Sequence, residues 1–257
     1  MRNIIIEKLQ SIQAEYNIHI LYAFESGSRA WGFPSPDSDF DVRFIYLNTP
    51  DWYLSINESK DSIEFIEDKL LDFNGWDVRK ALRLLYSSNL TPFEWMQSNI
   101  VYMEKSNFKQ ALNDIAGNYF IPKAAIHHYL GLTKKTMNTS FKSENVKIKK
   151  YFYALRPVLC AKWIMENNSI PPLSFHKLFP VVNGTVIQDK IVELLEAKEK
   201  ANEGDMVKSD QLLNQFIEDN IKNCSSYADS LESSRNDVQP LNIFFRNLLK
   251  QTYVDIN

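Results

Sequence analysis

Apolar and polar positions alternate in short runs along the first part of the chain, which is the pattern of β-strands. Turn-forming Gly, Pro, Asn, Asp and Ser residues bound these runs, which predict four strands. An apolar repeat with helical spacing precedes them and predicts an amphipathic helix that packs on the sheet. The members of that repeat are Ile4, Ile5, Leu9 and Ile12. The predicted strands cover residues 20–24, 40–47, 62–67 and 69–73.

From residue 107 onward the pattern is almost entirely helical. A helix is also expected earlier, over residues 77–85, where Val78, Leu82 and Leu85 share one face. The change of pattern predicts an α/β (α+β) fold, with a sheet domain in residues 1–105 and a helical domain in residues 106–257. The last helices are expected over residues 185–201, 209–224 and 236–253.

Composition is typical of a globular protein. Apolar residues make up 44% of the 257 residues, which is enough to bury a sizeable core. A net charge of −3 argues against a wholly basic surface, so a nucleic acid would have to bind to a local basic patch. The chain has two cysteines far apart, no signal-peptide pattern and no apolar run of membrane-spanning length. We therefore expect a soluble cytoplasmic protein without a membrane segment.

Candidate chemistry is concentrated in residues 24–44, which combine a strand, a Gly-Ser turn, an Asp-rich loop and a second strand. Alternate residues of a strand share a face, so Asp39 and Asp41 point the same way. Adjacent carboxylates repel each other unless a cation lies between them, and Mg²⁺ is the natural candidate. Gly27 lets backbone N–H groups approach a phosphate, and the helix start at Ser28 favours the same negative charge. The alternative interpretation is an acidic turn that caps a strand.

The spacing of these residues resembles a known signature. Gly27 and Ser28, ten intervening residues and then Asp39-Phe40-Asp41-Val42 are similar to the motif of DNA polymerase β-like nucleotidyltransferases. The surrounding residues resemble one branch, the RlaP family, which is predicted to act in RNA repair. The resemblance implies a polymerase β-like nucleotidyltransferase core with a mixed sheet, followed by a helical domain that closes the cleft. The matching stretches are residues 25–33, 36–39, 41–44, 75–94 and 149–163.

The same resemblance implies two Mg²⁺ ions, with Mn²⁺ as an alternative, held by Asp39 and Asp41 and by a third carboxylate on a later strand. Asp72 is the first candidate for that third metal-binding and catalytic carboxylate, because alternation in its strand exposes it between Leu71 and Phe73. Asp77 is the rival candidate, although it lies where a helix begins and can be explained as an early-turn residue.

Basic residues supply the remaining candidates for nucleotide binding. Arg29 lies in the motif itself, and strand alternation places Arg43 on the face of Asp39 and Asp41, where it could neutralise the carboxylates or reach a phosphate. Residues 134–162 contain eight basic residues and one acidic residue, a local charge of +7. A solvated helix face is the alternative to a nucleotide or RNA contact there. The candidates in this segment are Lys149, Lys150, Tyr153 and Arg156, the last of them just before Pro157.

These features favour an enzyme that binds a nucleoside triphosphate such as ATP and transfers its nucleoside monophosphate to an acceptor hydroxyl. The resemblance to the RlaP family implies that this acceptor is an RNA end. The residues leave the acceptor open, and nucleotidylation of a protein is the second hypothesis. A non-catalytic nucleotide-binding module is the third, and the three candidate carboxylates count against it, because binding alone does not need so costly an acidic cluster.

Overall fold

The computed structural model of the protein describes residues 1–67, 70–202, 204–232, 234 and 236–253. The chain forms two compact units. The sheet unit comprises Met1–Gly27, Asp39–Tyr119 and Arg235–Asn257, and the helical unit comprises Ser28–Ser38 and Phe120–Ser234. The predicted division into domains of residues 1–105 and 106–257 stays a prediction.

A five-stranded mixed sheet forms the centre of the sheet unit, and its order is β3-β4-β2-β1-β5. β2 and β4 are parallel, whereas the other neighbouring strands are antiparallel. β2 and β3 have the predicted bounds, and β4 extends further than predicted. Lys69, the first residue of that predicted strand, lies outside the described residues. The strands are β1 (His19–Glu25), β2 (Phe40–Leu47), β3 (Ser62–Glu67), β4 (Leu71–Asp77) and β5 (Val101–Glu104).

Helices dominate the rest of the described chain, as the pattern predicts. None of those helices is long and apolar enough to cross a membrane. The sheet unit contains α1 (Arg2–Tyr16), α3 (Pro50–Leu54), α4 (Val78–Tyr86), α5 (Leu90–Trp95), α6 (Phe108–Ala116) and α11 (Gln239–Tyr253). The short α2 (Gly27–Trp31) runs from one unit into the other. The helical unit contains α7 (Pro122–Ser140), α8 (Ile148–Asn167), α9 (Val186–Lys200) and α10 (Gln211–Ser230), with a small ladder of β6 (Asn145–Lys147) and β7 (Met206–Lys208).

The core of the sheet unit determines which side chains of β2 face away from it. The apolar stripe of α1 is buried at Ile5, Leu9 and Ile12, whereas Ile4 is exposed. The buried stripe joins a cluster with Val42 and Phe44 of β2. Because successive residues of a strand point to opposite faces, the neighbouring positions 41 and 43 face away from this cluster.

In the helical unit, α7 and α8 pack along each other, and the segment 28–38 is folded onto this unit. Phe33 anchors that segment, since its ring lies 4.6 Å from that of Phe152 and 5.2 Å from that of Phe175. Pro157 lies inside α8, which runs through it as one helix. The loop that joins the Gly-Ser turn to Asp39 is thus held by aromatic packing in the helical unit.

Candidate active site

Two of the predicted carboxylates meet across the parallel pair of strands. Asp41 of β2 and Asp72 of β4 are direct register partners. The Arg43 guanidinium lies between them, and its Nη2 donates to Asp41 Oδ1 at 2.7 Å and to Asp72 Oδ2 at 2.8 Å. All three side chains are partly exposed. The pairing that strand alternation predicts for Asp41 and Arg43 is therefore present, and the register adds Asp72 to it.

Asp39 lies directly before β2 and is partly buried. It stands two residues before Asp41, the spacing that would place both side chains on one face if the strand were extended by one residue. Asp39, Asp41 and Asp72 all belong to the sheet unit.

Gly27 lies against Asp41 so closely that a side chain would not fit. A Cβ atom built on Gly27 would lie 1.8 Å from Asp41 Oδ2, and the residue has φ +59°, in the left-handed region that favours glycine. The Ser26 N–H donates to the Asp41 carbonyl at 2.8 Å, which holds the turn against the strand. The glycine of the motif thus makes room for the carboxylate as well as for any phosphate.

A buried carboxylate that the sequence did not single out supports this arrangement. Glu25, at the end of β1, is 1% exposed, and its Oε1 accepts the Asp41 backbone N–H at 2.9 Å. The Tyr102 hydroxyl donates to its other oxygen, and Ser98 Oγ donates to its backbone carbonyl at 2.7 Å. Glu25 therefore fixes the backbone at Asp41 from inside the core. Its place in the motif was the available signal, but burial of a carboxylate cannot be read from spacing.

Asp77, the rival third carboxylate, lies in a different environment. It is fully buried at the end of β4 and caps α4, accepting the Arg79 N–H at 2.8 Å. Its other oxygen accepts from Asn48 Nδ2 at 2.8 Å and from the Tyr53 hydroxyl at 2.6 Å. Burial raises the pKa of the Asp77 carboxyl, although these hydrogen bonds act in the opposite direction. Asp77 is thus bonded within the fold, whereas Asp72 is the carboxylate beside Asp41.

The raised pKa of Asp77 gives a prediction about stability. A carboxyl group whose pKa is higher in the folded state contributes stability below its unfolded pKa of about 4, and this contribution is lost as the pH rises through the folded pKa. Asp77→Asn removes that titration, but it replaces the oxygen shared by Asn48 and Tyr53 with an amide nitrogen. We expect the variant to be less stable than wild type at pH 4, by a deficit that shrinks as the pH rises.

Urea unfolding of both proteins between pH 4 and 8 measures this deficit. Asp51→Asn, in the exposed first turn of α3, is the control, because it makes the same charge change without touching the hydrogen bonds of Asp77. A deficit that grows with rising pH would contradict the prediction.

Ser28 and Arg29 of α2, two of the predicted nucleotide-binding residues, are hydrogen-bonded to Ser38 within the helical unit. Ser28 Oγ donates to Ser38 Oγ at 3.3 Å, and Arg29 Nη2 donates to the Ser38 carbonyl at 2.7 Å. Ser38 Oγ also accepts the Ser35 N–H at 2.8 Å. These bonds close the loop between the two halves of the motif.

The predicted basic residues of α8 differ in their surroundings. Arg156 is 3% exposed, and its guanidinium lies 4.7 Å from the centre of the Trp31 ring. Tyr153 is 39% exposed and contacts the same Trp31 ring edge-on, with the Lys150 ammonium 5.2 Å from the centre of its own ring. Lys149 is partly buried. The structure therefore brings Arg156 and Tyr153 together around Trp31, an aromatic residue that sequence reasoning did not select.

The donor set in the sheet unit fits a hard divalent cation. Carboxylate oxygens of Asp41 and Asp72 already share one cationic nitrogen, and Gly27 leaves the space beside Asp41 clear of a side chain. No group of three or more His, Cys, Asp and Glu side chains within the described ranges is arranged as a metal centre. That is compatible with Mg²⁺, which proteins usually bind through one or two carboxylates together with substrate phosphates.

Comparisons with known proteins agree with the residues of the motif. A family model described as "RlaP: RNA repair pathway DNA polymerase beta family" matches residues 1–247. The chain is 38% identical over 257 residues to the uncharacterised protein YcgL of Bacillus subtilis (strain 168), covering 99% of each chain. A nucleotidyltransferase-like protein from Exiguobacterium sibiricum 255-15 matches 88% of this chain and 75% of its own, with 13% identity and a TM-score of 0.32. That last likeness is too distant to support an inference about this chain.

Proposed function

The chain belongs to the RlaP family of polymerase β-like proteins, and from this membership we propose that it is a cytoplasmic, metal-dependent nucleotidyltransferase. It transfers a nucleoside monophosphate from a nucleoside triphosphate to an acceptor hydroxyl, and the acceptor is an RNA end. The observation that carries the proposal is the pairing of Asp41 with Asp72 across β2 and β4, with Gly27 packed against Asp41.

In the reaction, the acceptor oxygen forms a bond to the α-phosphorus, the bond from that phosphorus to the bridging oxygen breaks, and pyrophosphate leaves. Asp39, Asp41 and Asp72 would hold two Mg²⁺ ions, which when bound neutralise the charge on the phosphates. Asp72, with 34% of its side chain exposed, accepts or orients the proton of the attacking hydroxyl. Catalysis in such a site is largely positioning and charge neutralisation.

The remaining residues act on the triphosphate. The backbone N–H groups of Gly27 and Ser28 donate to its oxygens, and Arg29 and Arg43 add positive charge. A second basic set lies in the helical unit, and its guanidinium and ammonium groups match phosphate oxygens of a nucleotide or of an RNA backbone. That second set is Lys149, Lys150 and Arg156, and Tyr153, the other predicted nucleotide-binding residue here, lies on the same helix.

A transfer assay tests the proposal. The full chain is incubated with Mg²⁺ or Mn²⁺, with each α-labelled nucleoside triphosphate in turn, and with a mixture of small RNAs and cell-extract proteins. Wild type should move label to RNA, and Asp39→Ala/Asp41→Ala should move none. Glu64→Ala is the matched control, because Glu64 is an exposed carboxylate on β3 of the same sheet.

The possible outcomes separate the alternatives. Label on protein would replace the RNA acceptor with a protein acceptor. Transfer that persists in the double aspartate variant would overturn the proposed site. Nucleotide binding without any transfer, under every combination of metal and acceptor, would favour a non-catalytic nucleotide-binding module.

A further inference from the structure

Arg43 is the cation shared by two of the proposed metal-binding carboxylates. Its Nη2 lies 2.7 Å from Asp41 Oδ1 and 2.8 Å from Asp72 Oδ2. Its Nη1 donates to the Asp72 backbone carbonyl at 2.9 Å and to the Val42 carbonyl at 3.3 Å. With 16% of its side chain exposed, this guanidinium is held in place by both charge and geometry.

The register of β2 and β4 determines where Arg43 lies. The parallel ladder pairs Asp41 with Asp72 and Arg43 with Asn74, and the period of two places Arg43 on the face of Asp41. Two carboxylates on neighbouring strands repel each other, so a cation on that face stabilises the pair. Arg43 supplies this cation from within the chain.

A divalent cation would need oxygens of the same two carboxylates. It cannot share them fully with a guanidinium, because two cations a few ångströms apart repel each other strongly in a partly buried site. A triphosphate, in contrast, has oxygens that match the forked arrangement of the guanidinium N–H groups. It also offers the metal the phosphate ligands that Mg²⁺ needs in addition to one or two carboxylates.

We propose that Arg43 competes with the divalent cation for Asp41 and Asp72, so that tight metal binding depends on a nucleoside triphosphate that draws the guanidinium to its phosphates. Arg43 thereby couples the binding of metal to the binding of nucleotide. This inference rests on the proposed function, since it assumes that these carboxylates hold metal.

The test measures Mn²⁺ binding to the full chain without nucleotide, by the electron paramagnetic resonance signal of free Mn²⁺. Arg43→Gln should bind Mn²⁺ at least tenfold more tightly than wild type. Arg43→Lys retains the charge that the carboxylate pair needs for folding but lacks the fork, so it should bind a few-fold more tightly than wild type. Arg79→Gln is the matched control. It removes one positive charge from the start of α4, beyond the far end of β4 from Asp72, and should change the affinity less than twofold.

Equal or weaker Mn²⁺ binding by both Arg43 variants would overturn the competition. If wild type then still transfers label in a metal-dependent way, only this inference fails. If neither wild type nor the Arg43 variants bind Mn²⁺ and wild type transfers nothing, the proposed function fails as well. Circular dichroism of each variant shows that folded protein is being compared.

Discussion

Gly27→Ala is expected to slow nucleotidyl transfer about a hundredfold while the protein stays folded. The new methyl carbon would lie 1.8 Å from Asp41 Oδ2 and 2.7 Å from its Cγ, so the carboxylate has to rotate away. The end of a side chain can move at modest cost to the fold, and the left-handed φ of +59° adds about 1 kcal/mol. The reaction tolerates such a movement poorly, because a displacement of about 1 Å at a reacting centre costs roughly a hundredfold in rate.

The transfer assay and a thermal unfolding curve together measure this effect. Gly131→Ala is the control, because a Cβ at that position in α7 meets nothing within 4 Å and the helix favours alanine. We expect Gly131→Ala to keep full activity and to be slightly more stable than wild type. Full transfer activity in Gly27→Ala would show that the Asp41 carboxylate is not needed where the structure places it.

A second variant tests whether the overlap with Asp41 is the cause. In an Asp41→Ala background the two nearest atoms, Oδ2 and Cγ, are absent, and only the Cβ at 3.3 Å and the backbone strain remain. The loss of stability caused by Gly27→Ala should therefore be smaller in that background than in wild type. A double-mutant cycle isolates this coupling.

The pattern along the chain predicted the bounds of β2 and β3 but not the full length of β4. β2 and β3 begin and end where alternation places them, because one face of each packs against the core. β4 was expected to end at residue 73, since Asn74, Gly75 and Asp77 are weak strand formers. Its parallel pairing with β2 continues to Asp77, so tertiary pairing overrides local propensity there.

Long-range pairing also limited what the sequence could predict about the candidate site. Spacing predicts Asp39, Asp41 and Arg43 on one face, because a strand has a fixed period, and the structure places Asp41 and Arg43 in contact within β2. Which of Asp72 and Asp77 lies beside Asp41 depends on the register between two strands, which is a long-range property. Glu25 was missed for a related reason. Its role depends on burial against Tyr102, and β5, which carries Tyr102, was not predicted.

The placement of segment 28–38 in the helical unit could not be predicted from the segment itself. It reads as a polar loop between two strands, but its one large buried side chain, Phe33, packs against Phe152 and Phe175 of the helical unit. The residues next to Phe33 in the sequence do not determine which distant side chains its ring will contact. The loop between the two halves of the motif therefore belongs to the helical unit rather than to the sheet that precedes and follows it.

Gly75→Ala is expected to destabilise the fold by about 3 kcal/mol, because it overfills a well-packed core. Gly75 and Phe44 are register partners on β4 and β2, and a Cβ on Gly75 would lie 2.1 Å from Phe44 Cε2 and 2.2 Å from Cζ. The Phe44 ring is fully buried, so it cannot swing into solvent as the end of an exposed side chain could. Urea unfolding at neutral pH measures the loss.

Phe44→Leu removes the ring atoms that the new methyl group would strike, at a cost of about 1.5 kcal/mol for the smaller side chain. The double variant should therefore lose less stability than the two single variants together, by at least about 1 kcal/mol. Strictly additive losses would mean that Gly75 is needed for its backbone and not for the space over Phe44. The coupling also bears on the site, because the ring that packs over Gly75 projects from the opposite face of β2 to Asp41 and Arg43. The packing of Phe44 over Gly75 thus lies on the core side of the same strand pair that sets Asp41 beside Asp72.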